Sequence, residues 1–462
     1  MKVNTRSAFY KWEVVLLLWF AYFLNQGDRA VFGAVLPHIQ AFLGATDSTM
    51  GLISTCFNIF FALTVPFAGY FADRMSRKKI IVFSIALFSV ATMFTGVANT
   101  VILFILFRSV STGMGEAMFG PTYPAIIAEY HDNKTRATAM SLHQTAYYVG
   151  VVASTFLAGL IADKFGWQYS FLIFGGVGVL FTFVLIWRLK DKPRSEEELA
   201  ARAASRPESG HFAGFLKSFW ESLTAIFRVP TAVFLIIGFS ALIFVLTGYL
   251  TWMPKILLPY FEDLTTSTGF SAAKAGFHAM FWTHGAAFVG VLLAGWLSDR
   301  LAAGRSGGKS RLLLQAFGLL LATPCIVLMG RGSSLSVICA ALAGFGFFRA
   351  FFDANTYSIL YDVIPRKYHS SASSILQMCG FGIGSLAPLV LGWITDGGKV
   401  DAAASQAVQM EAIRSSAAGL GTGIAYLAIV WLVAGLLLIL ASLVFFNRDK
   451  ARLEKLEETQ QA

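Results

Sequence analysis

Six ionisable side chains lie well inside long apolar stretches of the sequence, and their types suit binding and proton transfer. They are Asp28, Arg29, Arg108, Glu116, Arg349 and Asp353. A charged group at the centre of a membrane helix costs roughly 2.5 to 3.5 kcal/mol, so a position facing lipid is untenable. We therefore expect these side chains to face protein or a water-filled cavity.

The two acids nearest the N-terminus, Asp28 and Glu116, are candidate proton carriers. Burial disfavours the anionic form of a carboxylate and a nearby arginine favours it, so such a group can change its protonation near the working pH. Glu116 is the better candidate, because residues 113–118 around it carry no fixed positive charge. The alternative is that both acids only neutralise the arginines in static ion pairs.

Arginine keeps its proton and presents a planar fork of donors to a carboxylate. Arg29 and Arg108 are therefore candidates for binding an anionic substrate. Arg349 and Asp353 are four residues apart and can pair on one helix face, as a structural pair or as part of a binding site. Further side chains that could hold substrate hydroxyls are Gln144, Tyr147, Tyr148 and Asn355. For the two tyrosines, plain aromatic packing between helices is the alternative.

The composition excludes a soluble protein. Of 462 residues, 56% are hydrophobic and only 13% are charged, against roughly a quarter charged in soluble domains. The four cysteines lie in apolar runs without a C-x-x-C spacing, so neither a disulfide framework nor a metal site is predicted. No basic stripe interleaved with aromatic residues is present, and nucleic-acid binding is not expected.

The apolar runs predict twelve transmembrane helices, here called spans 1 to 12, in an all-α membrane protein. The first six cover about 13–36, 47–70, 79–97, 100–129, 137–162 and 167–188. The second six cover about 231–254, 274–297, 312–330, 335–361, 370–394 and 420–446. The predicted domains are an N-terminal half (1–188), a cytoplasmic linker (189–230), a C-terminal half (231–447) and a cytoplasmic tail (448–462). Within the linker, 211–228 is amphipathic.

The positive charges predict the orientation. Of the 36 lysines and arginines, 27 fall on the side of the N-terminus and only 6 on the other side. Cytoplasmic loops retain positive charge, so both termini are predicted to lie in the cytoplasm. We expect an integral protein of the plasma (inner) membrane, and the net charge of +10 mostly reflects this orientation.

The two halves repeat each other. The segment from Gly69 to Arg74 after span 2 matches the segment from Gly295 to Arg300 after span 8, an offset of 226 residues. Glu129 and Asp362 form a later pair, at an offset of 233. Repeated six-helix units around a cavity at the membrane midplane are typical of secondary transporters.

The loop Gly69-Tyr-Phe-Ala-Asp73-Arg74-Met-Ser76-Arg77-Lys78-Lys79 resembles the G-x-x-x-D-R-x-G-R-[KR] signature of the major facilitator superfamily, with Ser76 in place of the usual glycine. Within that superfamily, Asn25-Gln-Gly-Asp28-Arg29 is similar to the N-x-x-D-R motif of the anion:cation symporters. Gly115-Glu116-Ala117 and Tyr249-Leu-Thr-Trp252-Met-Pro254 also resemble that family, and spinster-like lysolipid transporters share much of the pattern.

The resemblance implies roles for further residues. Asn25 joins the substrate-binding candidates. The residues that it implies as a gate between the halves are Asp73, Arg74, Arg77, Lys78, Glu129, Arg136, Asp299, Arg300 and Asp362. One departure lies in span 4, where one residue more than usual separates Arg108 from Glu116. An ideal helix would rotate the two apart by about 100°, unless a π-bulge near Ser111 and Thr112 absorbs the residue.

The function that the resemblance implies is proton-coupled symport of a small organic anion, most simply a sugar acid such as a hexuronate, an aldonate or a sialate, by alternating access. The expected partners are this anion, protons and the lipid bilayer, for a chain that acts as a monomer. The only energy source implied is the proton gradient, without a cofactor. The alternative is a spinster-like transporter of a lysolipid or an amphipathic drug. A membrane enzyme lacks support, because the sequence has no H-E-x-x-H, no G-x-S-x-G and no histidine cluster.

Overall fold

The computed structural model describes residues 5–131, 135–191, 212–302, 308–365, 368–395 and 405–461. In these ranges the regular structure is helical, apart from one isolated bridge between Glu262 and Phe270. This confirms the predicted all-α class.

Eleven helices in the described ranges are long and apolar enough to cross a membrane. The N-terminal helix, Thr5–Leu43, has 39 residues and the length for a twelfth span. Its middle carries Asn25, Gln26, Asp28 and Arg29, which lower the hydropathy of this stretch. The polar residues that lower the hydropathy of this helix thus include the candidate functional residues Asn25, Asp28 and Arg29.

Short caps fix where several helices of the N-terminal half begin. The Thr46 side chain accepts a hydrogen bond from the backbone N–H of Thr49, and Ser76 does the same for Lys79, so each satisfies a free N–H of the first turn. Ser76, which replaces the usual glycine of the signature, is thus the N-cap of span 3. Spans 1 to 6 are Thr5–Leu43, Asp47–Arg74, Arg77–Thr95, Val101–Tyr130, Arg136–Phe165 and Trp167–Arg188.

The C-terminal half starts after a linker helix, Phe212–Phe227. Spans 7 to 9 are Pro230–Leu257, Ala272–Ala302 and Lys309–Arg331. Span 10 consists of Leu335–Asp353 and Thr356–Val363, and span 11 of His369–Gly384 and Ala387–Thr395. Span 12 is Gln406–Val444, and a C-terminal helix, Phe446–Gln461, follows it.

Span 12 begins 14 residues before the predicted position of 420, at Gln406. Residues 406–419 carry polar side chains, which ended the apolar run, but they are rich in alanine and other good helix formers. Hydropathy located the membrane part of this helix and missed its polar first turns.

The two halves contact each other mainly through span 2 with span 11, span 5 with span 8, and span 1 with span 7, and to a smaller extent through span 1 with span 8. We call the end of the bundle where span 1 begins and span 12 ends the termini side, and the opposite end the distal side. Glycines allow close backbone contact toward the distal side. A Cβ added at Gly51 would lie 2.3 Å from the carbonyl oxygen of Pro388, and one at Gly159 would lie 2.5 Å from the backbone nitrogen of Ala273.

Span 4 is not one regular α-helix. Residues Ile105–Thr112 form a π-helix, between the α-helical stretches Val101–Phe104 and Gly113–Ala117. The side chains of Ser111 and Thr112 donate to the carbonyl oxygens five residues earlier, at 3.1 and 3.0 Å. The sequence analysis named a π-bulge as the condition under which the extra residue between Arg108 and Glu116 is absorbed, and the structure contains it.

Candidate functional site

A central cavity lies between the two halves, with about 820 Å³ of empty space including the part that opens to solvent. Both halves contribute to its wall, through spans 1, 2, 4 and 5 on one side and spans 7 and 11 on the other. Its polar wall residues are Gln26, Arg29, Ser54, Asn58, Arg108, Tyr147, Thr247 and Thr251. Its aromatic wall residues besides Tyr147 are Phe32, Phe57 and Phe381.

Arg108 of span 4, which lines this cavity, forms a buried ion pair with Asp28 of span 1. One Arg108 amino group donates to Asp28 Oδ2 at 3.0 Å, and the other donates to the Asp28 carbonyl oxygen at 3.3 Å. Thr92 of span 3 donates to Oδ1 at 2.9 Å. Both carboxylate oxygens thus have a donor, and three helices meet at this acid.

Arg29 and Glu116 form a second pair on the same two spans. Arg29 Nε donates to Glu116 Oε2 at 2.6 Å. The Glu116 side chain is fully buried, whereas 17% of the Arg29 side chain is exposed. In the described part of the chain, Glu116 Oε1 has no hydrogen-bond partner. The carboxylate of Glu116 therefore has fewer hydrogen bonds than that of Asp28.

Aromatic rings surround both guanidinium groups. Arg29 lies 4.2 Å from the ring centroid of Phe61 and 5.7 Å from that of Phe381 of the C-terminal half. Arg108 lies 4.4 Å from the ring centroid of Phe57. Cations are attracted to ring faces, and this attraction grows where water is excluded. The rings thus stabilise the arginine charges.

Arg349 and Asp353 of span 10 pair with each other at 3.6 Å. Arg349 is buried beside Tyr147 and Tyr148 of span 5, and its Nε has no partner within the described ranges. Tyr147 reaches the central cavity and so connects this pair with it. The sequence left a structural and a binding role open for the pair, and the structure adds its neighbourhood with the two tyrosines.

Five predicted substrate-binding residues are not part of the wall of the central cavity: Tyr148 and Arg349, described above, and Asn25, Asn355 and Gln144. Asn25 is buried and donates to the Glu116 carbonyl oxygen at 3.4 Å, so it positions the helix that carries the acid. Asn355 is buried between spans 8 and 10, where it bonds with Ser298 and with the Phe351 carbonyl oxygen. Both polar atoms of the Asn355 side chain are engaged in these bonds, and Asn355 does not line the central cavity. Gln144 is exposed outside this wall.

The predicted gate residues make contacts within their own half. Arg77 pairs with Glu129, and Lys78 donates to the Ile186 carbonyl oxygen at 2.8 Å. Arg136 donates to the His131 carbonyl oxygen at 3.4 Å.

In the C-terminal half, Arg311 lies 3.3 Å from Asp299 and 3.6 Å from Asp362, while Arg300 lies over the ring of Trp296. The side chains of Asp73 and Arg74 lie outside the described residues. The gate contacts described on the termini side therefore do not join the halves in this structure.

On the distal side, a buried polar cluster does join the halves, and the sequence analysis missed it. We call Gln40, Asp47, Lys255, Thr395 and Ser416 the distal cluster. Lys255 of span 7 donates to Asp47 Oδ1 at 2.5 Å and to Gln40 Oε1 at 2.7 Å. Thr395 and Ser416 donate to Asp47 Oδ2 at 3.0 and 2.5 Å. Five spans are thereby tied to one carboxylate.

A second acid also crosses between the halves on the distal side. Asp163, near the end of span 5, accepts hydrogen bonds from the backbone N–H groups of Ala272 and Ala273 at 3.1 Å each and from the Ser271 hydroxyl at 3.1 Å. It therefore caps the N-terminus of span 8 from the opposite half. Together with the distal cluster, it closes this end of the bundle.

Comparison with known proteins identifies the family of this chain. The family model described as "Major Facilitator Superfamily" matches residues 18–388 and 255–462. A D-galactonate transporter of Escherichia coli O6:H1 is 29% identical over 80% of this chain and 86% of its own. Protein spinster homolog 1 of Homo sapiens is 28% identical, over 53% of this chain and 45% of its own.

The solved structures include a bacterial homologue of the human lysosomal transporter Spinster, in an inward-facing and unoccupied conformation. Its TM-score is 0.75 at 22% identity, over 95% of this chain and 98% of that one. The likeness shows the fold, and the family match covers most of the sequence. The named relatives are transporters rather than enzymes, as the sequence predicted. The chain belongs to the major facilitator superfamily of membrane transporters.

Proposed function

We propose that this transporter carries a small organic anion of the sugar-acid class together with protons. The observation that supports the proposal is the Arg29–Glu116 pair at the wall of the central cavity. Arg29 uses Nε for Glu116, so its terminal amino groups remain for a substrate carboxylate. Hydroxyl and amide groups at Ser54, Asn58 and Thr251 offer partners for a polyol chain. The D-galactonate transporter is a relative with a substrate of this kind.

The coupling step in this proposal is the protonation of Glu116. A proton added at Oε1 removes the negative charge that holds Arg29, and the guanidinium can then pair with the incoming carboxylate. When the proton leaves on the other side of the membrane, Glu116 competes again for Arg29 and the anion is released. Asp28 is the second proposed carrier; its Oδ2 holds Arg108, and its Oδ1 accepts from Thr92.

Alternating access supplies the two sides of this cycle. In this structure the halves are tied together on the distal side by the distal cluster and by Asp163. The charge distribution of the loops favours a cytoplasmic position for the termini side. The state described would then be inward-facing, and rocking of the halves would expose the central cavity to the outside. We propose this orientation for a monomer in the plasma (inner) membrane.

Uptake into proteoliposomes tests the coupling. Vesicles with an alkaline interior are given labelled D-galactonate, D-gluconate, D-glucuronate or sialate. We expect the wild type to accumulate at least one of these against its gradient. Glu116→Gln should still exchange labelled for unlabelled substrate but should not respond to the pH difference. Glu221→Gln, the same change at an exposed position of the linker helix, is the matched control.

Accumulation by Glu116→Gln at the wild-type level would refute the role of Glu116. The substrate class has its own test in the same vesicles. The spinster alternative draws support from the human relative and from the three phenylalanines of the cavity wall. If a labelled lysophospholipid moves across the membrane and none of the sugar acids does, the alternative replaces the proposal.

A further inference from the structure

A second cavity lies at the termini side, apart from the central cavity. It is formed where the linker helix, the first residues of span 7, the end of span 10 and the C-terminal helix meet, and it has about 890 Å³ of empty space including its open part. Its polar wall residues are Arg228, Tyr368, Asp449 and Arg452. None of them takes part in the transport cycle described above.

Two arginines give this termini-side cavity a positive character. Arg228 and Arg452 are both exposed, and neither has an ion-pair partner in the part of the chain that the structure describes. Asp449 is committed elsewhere, because its Oδ2 accepts hydrogen bonds from the Thr231 backbone N–H at 2.9 Å and from the Thr231 hydroxyl at 2.7 Å. That acid is buried at the N-terminus of span 7. The two guanidinium groups are thus available for an anion.

The depth of the termini-side cavity is set by the ends of the membrane helices. Span 7 begins at Pro230, and span 12 ends at Val444, immediately before the C-terminal helix. The cavity therefore lies at the level where hydrocarbon gives way to headgroups. Its apolar wall includes Val363, Leu453 and Leu456 beside the arginines. A ligand that fits has an anionic head and an apolar continuation.

We propose that the termini-side cavity binds the phosphate of an anionic phospholipid of the surrounding leaflet. Arginine forms bidentate, charge-assisted bonds with phosphate, and two arginines exceed what a zwitterionic headgroup neutralises. Basic pockets beside membrane helices on the cytoplasmic side are known places for such headgroups. This proposal stands independently of the transported substrate.

A lipid bound in the termini-side cavity would connect the linker helix with the C-terminal helix. The phosphate would bridge Arg228, at the end of the linker helix, and Arg452 of the C-terminal helix. Both helices lie at the surface of the C-terminal half, beside span 7. The lipid would thereby hold the end of the linker against that half while the N-terminal half moves.

Thermal unfolding of the full chain in detergent tests the proposal. Phosphatidylglycerol, phosphatidylcholine and inorganic phosphate are titrated separately. We expect phosphatidylglycerol alone to raise the unfolding temperature in a saturable manner. The double variant Arg228→Gln/Arg452→Gln should weaken the apparent affinity for phosphatidylglycerol by at least about tenfold, because the charge-assisted bonds of both guanidinium groups to the phosphate are lost.

The matched control is Arg448→Gln/Lys455→Gln, which removes the same charge from the C-terminal helix at positions outside the wall of the cavity. It should respond to phosphatidylglycerol as the wild type does. If the double variant does not fold, the single variants Arg228→Gln and Arg452→Gln replace it in the same titration. Each should lose part of the affinity for phosphatidylglycerol. Equal stabilisation by phosphatidylcholine, equal protection by inorganic phosphate, or an unchanged response of the cavity variants would each overturn the proposal.

Discussion

Replacing Lys255 by methionine tests whether the distal cluster holds the two halves together. Lys255 is fully buried and Asp47 is 4% exposed, at a distance of 2.5 Å. The variant keeps the volume of the side chain but leaves the Asp47 carboxylate without its cation. Removing one partner of a buried pair costs about 3–5 kcal/mol, because a buried charge remains uncompensated.

That cost falls on the distal-closed state alone, because opening exposes Asp47 to water. At about 1.36 kcal/mol for each factor of ten, the ratio of open to closed protein should rise by a factor on the order of 100 to 5,000. Thr395 and Ser416 still donate to the carboxylate, so the lower part of this range is expected.

Spin labels at Val97 and Leu264 measure the opening. Both positions are exposed, at 60% and 68%, and they lie on the distal side in different halves. With the four native cysteines replaced by serine, electron–electron distance measurements should show one short distance in the wild type. The Lys255→Met variant should populate a longer one.

The double variant Asp47→Asn/Lys255→Met serves as the control, because it removes both charges together. It should return most of the protein to the short distance, since a neutral replacement of a buried pair is often tolerated. A Lys255→Met sample with the wild-type distance distribution would refute the reasoning, and so would a double variant as open as the single one.

Three further outcomes are expected. Gly51→Ala should hinder distal closure in the same distance measurement, because its Cβ would lie 2.3 Å from the Pro388 carbonyl oxygen, whereas Gly120→Ala, with nothing within 4 Å, should not. Arg29→Lys should keep the charge but lose the fork, and we expect substrate affinity from exchange experiments to fall about tenfold or more. Thr92→Val removes a buried donor to the carboxylate of span 1 at 2.9 Å. It should lower the free energy of unfolding by about 1 kcal/mol or more, seen as a lower thermal midpoint.

The sequence predicted the fold well because long apolar runs leave the backbone only one way to satisfy its hydrogen bonds in lipid. It also identified the charges of spans 1 and 4, since charge is costly within such runs. The partner of each acid could not be read from spacing, because pairing depends on helix rotation. The structure pairs Asp28 with Arg108 and Arg29 with Glu116.

The distal cluster could not be predicted from the sequence either, because its pairing also depends on how the helices are placed and rotated. Asp47 and Lys255 each lie at the end of a span next to a loop, where a charge needs no explanation, and 208 residues separate them. Asn355, in contrast, was predicted to line the cavity and does not. Its amide suited a cavity wall by type, but the break in span 10 before Thr356 places it against Ser298. Helix rotation and local breaks thus decide which polar residues meet.

The wide turns of residues Ile105–Thr112 make span 4 tolerant of a change in its length. An insertion into a regular helix rotates everything after it by about 100°, which would carry Glu116 away from span 1. Here the surplus residue is confined to the stretch before Gly113, so Arg108 and Glu116 both reach their partners. Deleting Ser111 should return this stretch to α-helical turns and preserve both pairs, whereas deleting Met114 should separate Glu116 from Arg29.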